Sequence, residues 1–323
     1  MVMDNYASIY RLIMIPLMAG ASFLPPDINA WSPGTEQQTE VGAVGIAAVE
    51  TTAAETATAE TAAVEASDTV KVTGTPLLDH LDGARAMAVR GGAMVTIAEA
   101  GEVSMYRLLV DTPEPEAVEQ NPGREWNRPE SVATVMDTYT VVATAESGQV
   151  HLLDEELEQV RSLSVPSWVT GSDLFQPVDA TANDIGEIFV LDRHAQRIYH
   201  FNANGSYLVH VDLSALQGPS AISYAAESLF VADREQGRVF VLTVSGHELA
   251  SIGTFPNLYR VRVYDELIWI LSGSVVHLFD MYGEHTGNWQ MEAADEPLQD
   301  IAVIDGQVFL LTSSSLYYLG SLP

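Results

Sequence analysis

The chain has 323 residues, with 44 Asp and Glu against 14 Lys and Arg, a formal net charge of −30, and no cysteine. The missing thiol excludes disulfides, thiolate catalysis and Cys-ligated metals. The lack of any basic stripe argues against nucleic acid as a partner, since nothing would neutralise phosphates. Lys71 is the only lysine. An acidic, lysine-poor surface points to a halophilic source, where salt screens the repulsion between carboxylates.

At the N-terminus, Arg11 precedes an apolar run, Leu12–Leu24, that stops at Pro25-Pro26. The run is too short to give a stable membrane span but suits the core of a secretory signal peptide. Ala19-Gly-Ala21 and Ile28-Asn-Ala30 both suit cleavage. Residues 1–30 are therefore expected to direct the protein to the outside of the cell, the periplasm or the cell surface. From Trp31 to Asp68 the composition shifts to Ala, Thr and Glu, with Glu50, Glu55, Glu60 and Glu65 spaced five apart. On a helix that spacing advances about 140° per step and leaves no apolar face. Residues 31–68 are expected to be a disordered acidic linker, because such a segment cannot bury enough surface to offset its ordering entropy.

From Ala84 onward the sequence repeats. Its clearest copies are Ile188-Phe-Val-Leu-Asp-Arg193 and Leu229-Phe-Val-Ala-Asp-Arg234. Six copies align by an apolar strand, a polar turn and an alternating strand, beginning at Val95, Val141, Phe189, Phe230, Trp269 and Phe309. Turns such as Asn202-Ala-Asn-Gly205 then lead to a more polar strand. Before each copy lies a small-residue strand, starting near Arg85, Ser131, Asp179, Ala221, Arg260 and Asp300, at separations of 46, 48, 42, 39 and 40 residues. That period is one four-stranded blade, so the fold class is an all-β, six-bladed β-propeller over residues 69–323. The last copy has only three strands. Val70–Leu81 is a strand without a blade, and pairing it onto the last blade would close the ring.

These repeats resemble NHL-type repeats and the TolB-like and gluconolactonase-like six-bladed propellers, over residues 69–321. The resemblance implies that the Asp-Arg pairs, Asp192-Arg193 and Asp233-Arg234, are structural hydrogen-bonding elements. It also implies a test for catalysis, because lactonases and lyases of this group hold a divalent metal at the channel mouth with carboxylates, Asn or His from the innermost strands. The matching positions here are Arg85, Ser131, Asp179, Ala221, Arg260 and Asp300. Two guanidinium groups share the ring with two carboxylates, and a cation would be repelled by them. No metal or other cofactor is therefore expected.

The same ring could orient a carboxylate-bearing or zwitterionic ligand through Arg85, Ser131, Asp179, Arg260 and Asp300. Alternatively, Arg85 with Asp300, and Arg260 with Asp179 or Asp300, would neutralise each other and plug the channel. The eight histidines form no metal spacing, and no nucleophile elbow or phosphate loop is present. Trp269, Tyr199, Phe240, Phe309 and Tyr318 fall at core positions. Trp126 and Trp168 sit in longer connections, where a Trp is either a recognition residue or a lid packed on its own blade. The expected function is a non-catalytic, exported, monomeric binding or scaffolding module. Its partner would be a protein, peptide or glycan, met on a face rimmed by the 111–128 and 165–178 connections. The alternative is a metal-dependent lactonase-like or lyase-like enzyme using Asp179 and Asp300.

Overall fold

A computed structural model describes residues 69–112, 114–170, 174–292 and 296–321, with residues 121–125 described in their backbone alone. The expected signal peptide and linker lie outside the described residues. The described chain opens with two short strands, β1 (Thr69–Val72) and β2 (Thr75–Leu78). Blade one follows as β3 (Ala86–Arg90), β4 (Met94–Ala98), β5 (Glu102–Leu109) and β6 (Glu116–Glu125). Blade two comprises β7 (Ser131–Val135), β8 (Tyr139–Thr144), β9 (Gln149–Leu153) and β10 (Gln159–Leu163). A single helical turn, α1 (Ser167–Thr170), leads into blade three: β11 (Pro177–Ala182), β12 (Ile188–Asp192), β13 (Arg197–Phe201) and β14 (Tyr207–Asp212).

Blade four is β15 (Pro219–Ala225), β16 (Ser228–Asp233), β17 (Arg238–Thr243) and β18 (Glu248–Ile252). Blade five is β19 (Leu258–Tyr264), β20 (Leu267–Ser272), β21 (Val275–Asp280) and β22 (His285–Met291). Blade six is β23 (Asp300–Ile304), β24 (Gln307–Leu311) and β25 (Leu316–Ser321), with β2 as its fourth strand. Each blade is an antiparallel meander, and each innermost strand lies against the next until β23 returns to β3. The fold is a six-bladed β-propeller.

The apolar alternation read from the sequence becomes six separate cores, one between each pair of neighbouring blades. Between blades five and six, for example, Trp269, Leu271 and Trp289 meet Ile301, Val308 and Leu310. Trp269 and Trp289 pack edge to face at 5.5 Å. Tyr199, Phe240 and Phe309 are buried and Tyr318 is half-buried, as their strand positions require.

Two expectations change. The segment ahead of the first copy is two strands, not one. β2 pairs antiparallel with β25 and completes blade six, whereas β1 pairs in parallel with β22 and gives blade five a fifth strand. The break falls at Gly74, which crosses between the blades. A Cβ there would stand 2.9 Å from Leu319 Cδ2, 3.0 Å from Met291 Cε and 3.0 Å from Tyr317 Cβ, so a side chain at the crossing would force its neighbours to shift. The second change is in the 111–128 segment. Most of it is the outer strand β6, because Ala117 and Val118 continue the ladder with Leu108 and Arg107.

Removing residues 1–79 takes away both closing strands and bares β25. We expect it to lower the thermal midpoint by roughly 10 °C or more, whereas removing only residues 1–67 shifts it by a few degrees at most. Differential scanning calorimetry of the two truncated chains makes the comparison, and equal midpoints would mean that the two strands do not close the ring.

Candidate functional site

The innermost strands of a propeller have no neighbour on their axial side, so their edge N–H and C=O groups need partners from elsewhere. Short polar side chains on adjacent blades supply several. Thr134 Oγ1 donates to the Val89 carbonyl at 2.6 Å, Thr181 Oγ1 accepts from Tyr224 N at 3.1 Å, and Ser223 Oγ accepts from Val263 N at 3.2 Å. At the channel mouth the sealing groups are charged.

Asp179 at the start of β11, Asp300 at the start of β23, and Arg260 and Arg262 on β19 form one buried cluster. The Arg262 Nε donates to Asp300 Oδ1 at 3.0 Å and its Nη2 to Asp300 Oδ2 at 3.0 Å. Its Nη1 reaches across the axis to Asp179 Oδ2 at 3.0 Å. Arg260 Nη1 lies 3.2 Å from Asp300 Oδ2 and 3.5 Å from Asp179 Oδ1.

The remaining blades join through hydrogen bonds to the same four side chains. Blade one gives Met87 N to Asp300 Oδ2 at 3.1 Å and accepts Arg260 Nη2 on the Arg85 carbonyl at 3.1 Å. Blade two gives Ser131 Oγ to Asp179 Oδ1 at 2.5 Å. Blade four gives Ile222 N to Asp179 Oδ2 at 2.9 Å and accepts Arg262 Nη1 on its Ile222 carbonyl at 3.1 Å. All six blades therefore meet on one cluster. Two carboxylates face two guanidinium groups, so the cluster carries no net charge.

Burial alone would raise the Asp179 carboxyl. The Arg262 and Arg260 charges, with hydrogen bonds from Arg262 and Ser131, outweigh it and hold Asp179 below the usual carboxylate range. Burial likewise opposes the charge on Arg262, and Asp179 and Asp300 more than offset it, so its pKa lies above the ordinary guanidinium value.

Of the residues the sequence places at the mouth, Ser131, Asp179, Arg260 and Asp300 come together. Arg85 does not join Asp300. Its Nη1 lies 2.6 Å from Glu130 Oε2, a half-exposed pair that links blades one and two above the cluster. Glu130 is the nearer carboxylate, and both oxygens of Asp300 are already engaged. The residue that sequence reasoning missed is Arg262. Side chains two apart on a strand share a face, so Arg262 points the same way as Arg260, one step deeper. The Arg-Val-Arg spacing at 260–262 carries that signal.

The two tryptophans differ. Trp126 is half-buried, 4.7 Å from the His151 ring and packed beside the core between blades one and two. Trp168, on α1, is 79% exposed and touches Tyr207 edge-on at 6.2 Å.

The chain also resembles proteins of known structure. A gluconolactonase from Xanthomonas campestris matches with a TM-score of 0.62 at 13% identity, covering 76% of this chain and 89% of that one. A chain of a nidogen/laminin complex matches with a TM-score of 0.53 at 13% identity, covering 64% and 80%. Virginiamycin B lyase from Staphylococcus aureus matches with a TM-score of 0.51 at 14% identity, covering 78% and 89%. At this identity the likeness establishes the fold. No protein-family model matches the chain, and no curated protein matches it in sequence.

The divalent metal that the lactonase-like resemblance implies does not fit these residues. Every oxygen of Asp179 and Asp300 accepts from a guanidinium, and several also accept from a backbone N–H or the Ser131 hydroxyl. Among the described residues no three His, Asp or Glu side chains converge as a metal site would require.

Removing one partner from a buried ion pair leaves an uncompensated charge, so Asp179→Ala should cost about 3–5 kcal/mol at pH 7. Because folding lowers the Asp179 pKa, that contribution is complete above the unfolded carboxyl pKa of about 3.9 and is lost as the pH falls through the lower folded value. Urea unfolding at constant salt should therefore show the gap between wild type and variant narrowing only below about pH 4. A gap that is the same at pH 7 and at strongly acid pH would show that Asp179 is not held as a carboxylate by its partners.

Proposed function

We propose that the protein is a non-catalytic binding or scaffolding propeller, exported by residues 1–30 and held at a distance by the acidic segment 31–68. It acts as a monomer and engages a protein, peptide or glycan on its mouth face. The observation that carries this reading is the closed cluster at the axis, where lactonase-like chemistry would need accessible carboxylates. Asp179 and Asp300 are each 0% exposed and bonded on both oxygens to Arg260 and Arg262. A general base or a metal ligand at either position would first have to shed a guanidinium.

What remains accessible on that face is recognition surface. The turns after the second strand of each blade frame it, together with the connections between blades, and Trp168 stands exposed on one of those connections. The nidogen/laminin complex supports the reading by analogy of fold, since a propeller there takes part in a protein assembly. The acidic, lysine-poor composition fits a surface that stays hydrated in concentrated salt.

Dialysis against Ca²⁺ or Zn²⁺ followed by elemental analysis, with turnover of simple lactones measured alongside, tests the proposal. We expect no stoichiometric metal and no hydrolysis above the buffer rate. Stoichiometric metal that is lost in Asp179→Ala, together with lactone turnover, would overturn it. The labelled propeller should instead give saturable hits on peptide or glycan arrays.

A further inference from the structure

The Asp-Arg pairs do not act as single units. Asp192 caps its turn, with Oδ1 accepting from His194 N at 2.9 Å and Ala195 N at 3.0 Å. Asp233 does the same for Glu235 N at 3.0 Å and Gln236 N at 2.9 Å, and also accepts from Gly218 N at 3.0 Å. The arginines that follow, Arg193 and Arg234, stand exposed on the mouth face, and among the described residues no group accepts from either guanidinium. The corresponding residues in the other blades are small: Ala100, Ala145, Gly273 and Ser313. In a chain with 44 Asp and Glu and 14 Lys and Arg, two cations on one face thus have no acidic partner among the described residues.

Beside Arg234 the face is hollow. Gly273 has nothing within 4 Å of where a Cβ would stand, and a depression of about 270 Å³ opens there between blades four, five and six. Its lining is mainly apolar, from Tyr259, Pro297 and Leu298, with Arg234, Asn257 and Gln299 as polar groups and, among the described residues, no acidic one. The Tyr259 ring separates it from the axial cluster, 5.4 Å from the Arg260 guanidinium carbon. The side chains of Asn257 and Gln299 and the Tyr259 hydroxyl, like the Arg234 guanidinium, have no hydrogen-bond partner among the described residues. Three of these four side chains carry N–H donors and the fourth a hydroxyl.

We infer that this depression binds the C-terminal residue of a peptide, with its carboxylate on the Arg234 fork and its apolar side chain against the Tyr259 ring and Pro297. The inference rests on the binding function proposed above and names a subsite for it. An arginine fork matches a carboxylate in two parallel hydrogen bonds. Asn257 and Gln299 are placed to donate to the remaining oxygen lone pairs or to the last peptide carbonyl. The apolar walls favour an aliphatic or aromatic side chain over a hydroxyl-covered sugar, which would leave polar groups unsatisfied.

Titration calorimetry with acetyl-Gly-Gly-Phe and with its C-terminal amide tests the assignment. The free acid should bind at least about tenfold more tightly than the amide, because only the acid can form a bidentate ion pair with the guanidinium. Arg234→Gln should abolish that difference without changing the thermal midpoint, and Arg107→Gln, on the outer part of blade one, should leave it intact. Equal binding of acid and amide, no binding of either, or an unaltered preference in Arg234→Gln would overturn the subsite. An array ligand that binds wild type and Arg234→Gln equally would also overturn it while leaving the broader binding function standing, whereas metal-dependent lactone turnover would remove that function itself.

Discussion

Closing six radial sheets around an axis brings six strand edges together where no seventh strand can pair with them. Those edges present backbone donors and acceptors to a narrow channel, and leaving them dry and unbonded would cost more than a domain of this size can spare. The chain meets this constraint with side chains borrowed from neighbouring blades. Threonine and serine suffice deeper in the channel. At the mouth, Asp179, Asp300, Arg260 and Arg262 make one hydrogen-bonded cluster that every blade touches. The guanidinium group suits this task because its fixed fork can bridge two carboxylates and a carbonyl at once, which an ammonium on a flexible stem does less well. Buried ion pairs are weak sources of net stability compared with apolar packing. Their value here is positional, since each bond fixes the angle of one blade against another.

That choice also shapes what the axis can do chemically. Carboxylates at the mouth of a propeller are free to hold a cation or move a proton only when nothing else claims them. Here two guanidinium groups claim both, and the cluster is neutral within a chain of net charge −30. The cluster therefore adds nothing to that charge excess, and exposed carboxylates elsewhere are screened by salt and water. The binding function proposed for this protein therefore falls on the surrounding face, where Gly273 leaves a hollow beside Arg234.

Much of the fold was legible in the sequence because a blade is a local object. In blades one to five the four strands are consecutive, and the period of roughly 40 residues marks each blade, with the Phe-Val-x-Asp-Arg signature in blades three and four. The mouth positions follow from the same alignment, which is why Ser131, Asp179, Arg260 and Asp300 could be named together. What stayed hidden depends on contacts distant in sequence. Nothing local says that Gly74 must pass between Met291 and Leu319, so β1 and β2 read as one strand. The repeat alignment marks one mouth residue per innermost strand and so does not single out Arg262, although a strand shows the same face every second residue. Arg85 found Glu130 instead of Asp300, a preference that only the positions of the two carboxylates could decide. The Asp-Arg pairs resembled a single structural unit, yet capping uses only the aspartate.

Arg262 and Asp300 hold the blades together through direct contact across the neighbouring innermost strands. A double-mutant cycle with Arg262→Met and Asp300→Leu, read by reversible urea unfolding, isolates that contact from the separate effect of each side chain. A coupling energy of about 2 kcal/mol or more is expected, with the double variant more stable than the sum of the single losses implies. A coupling within about 0.5 kcal/mol of zero would contradict it, since residues that do not share an interaction are additive to that margin.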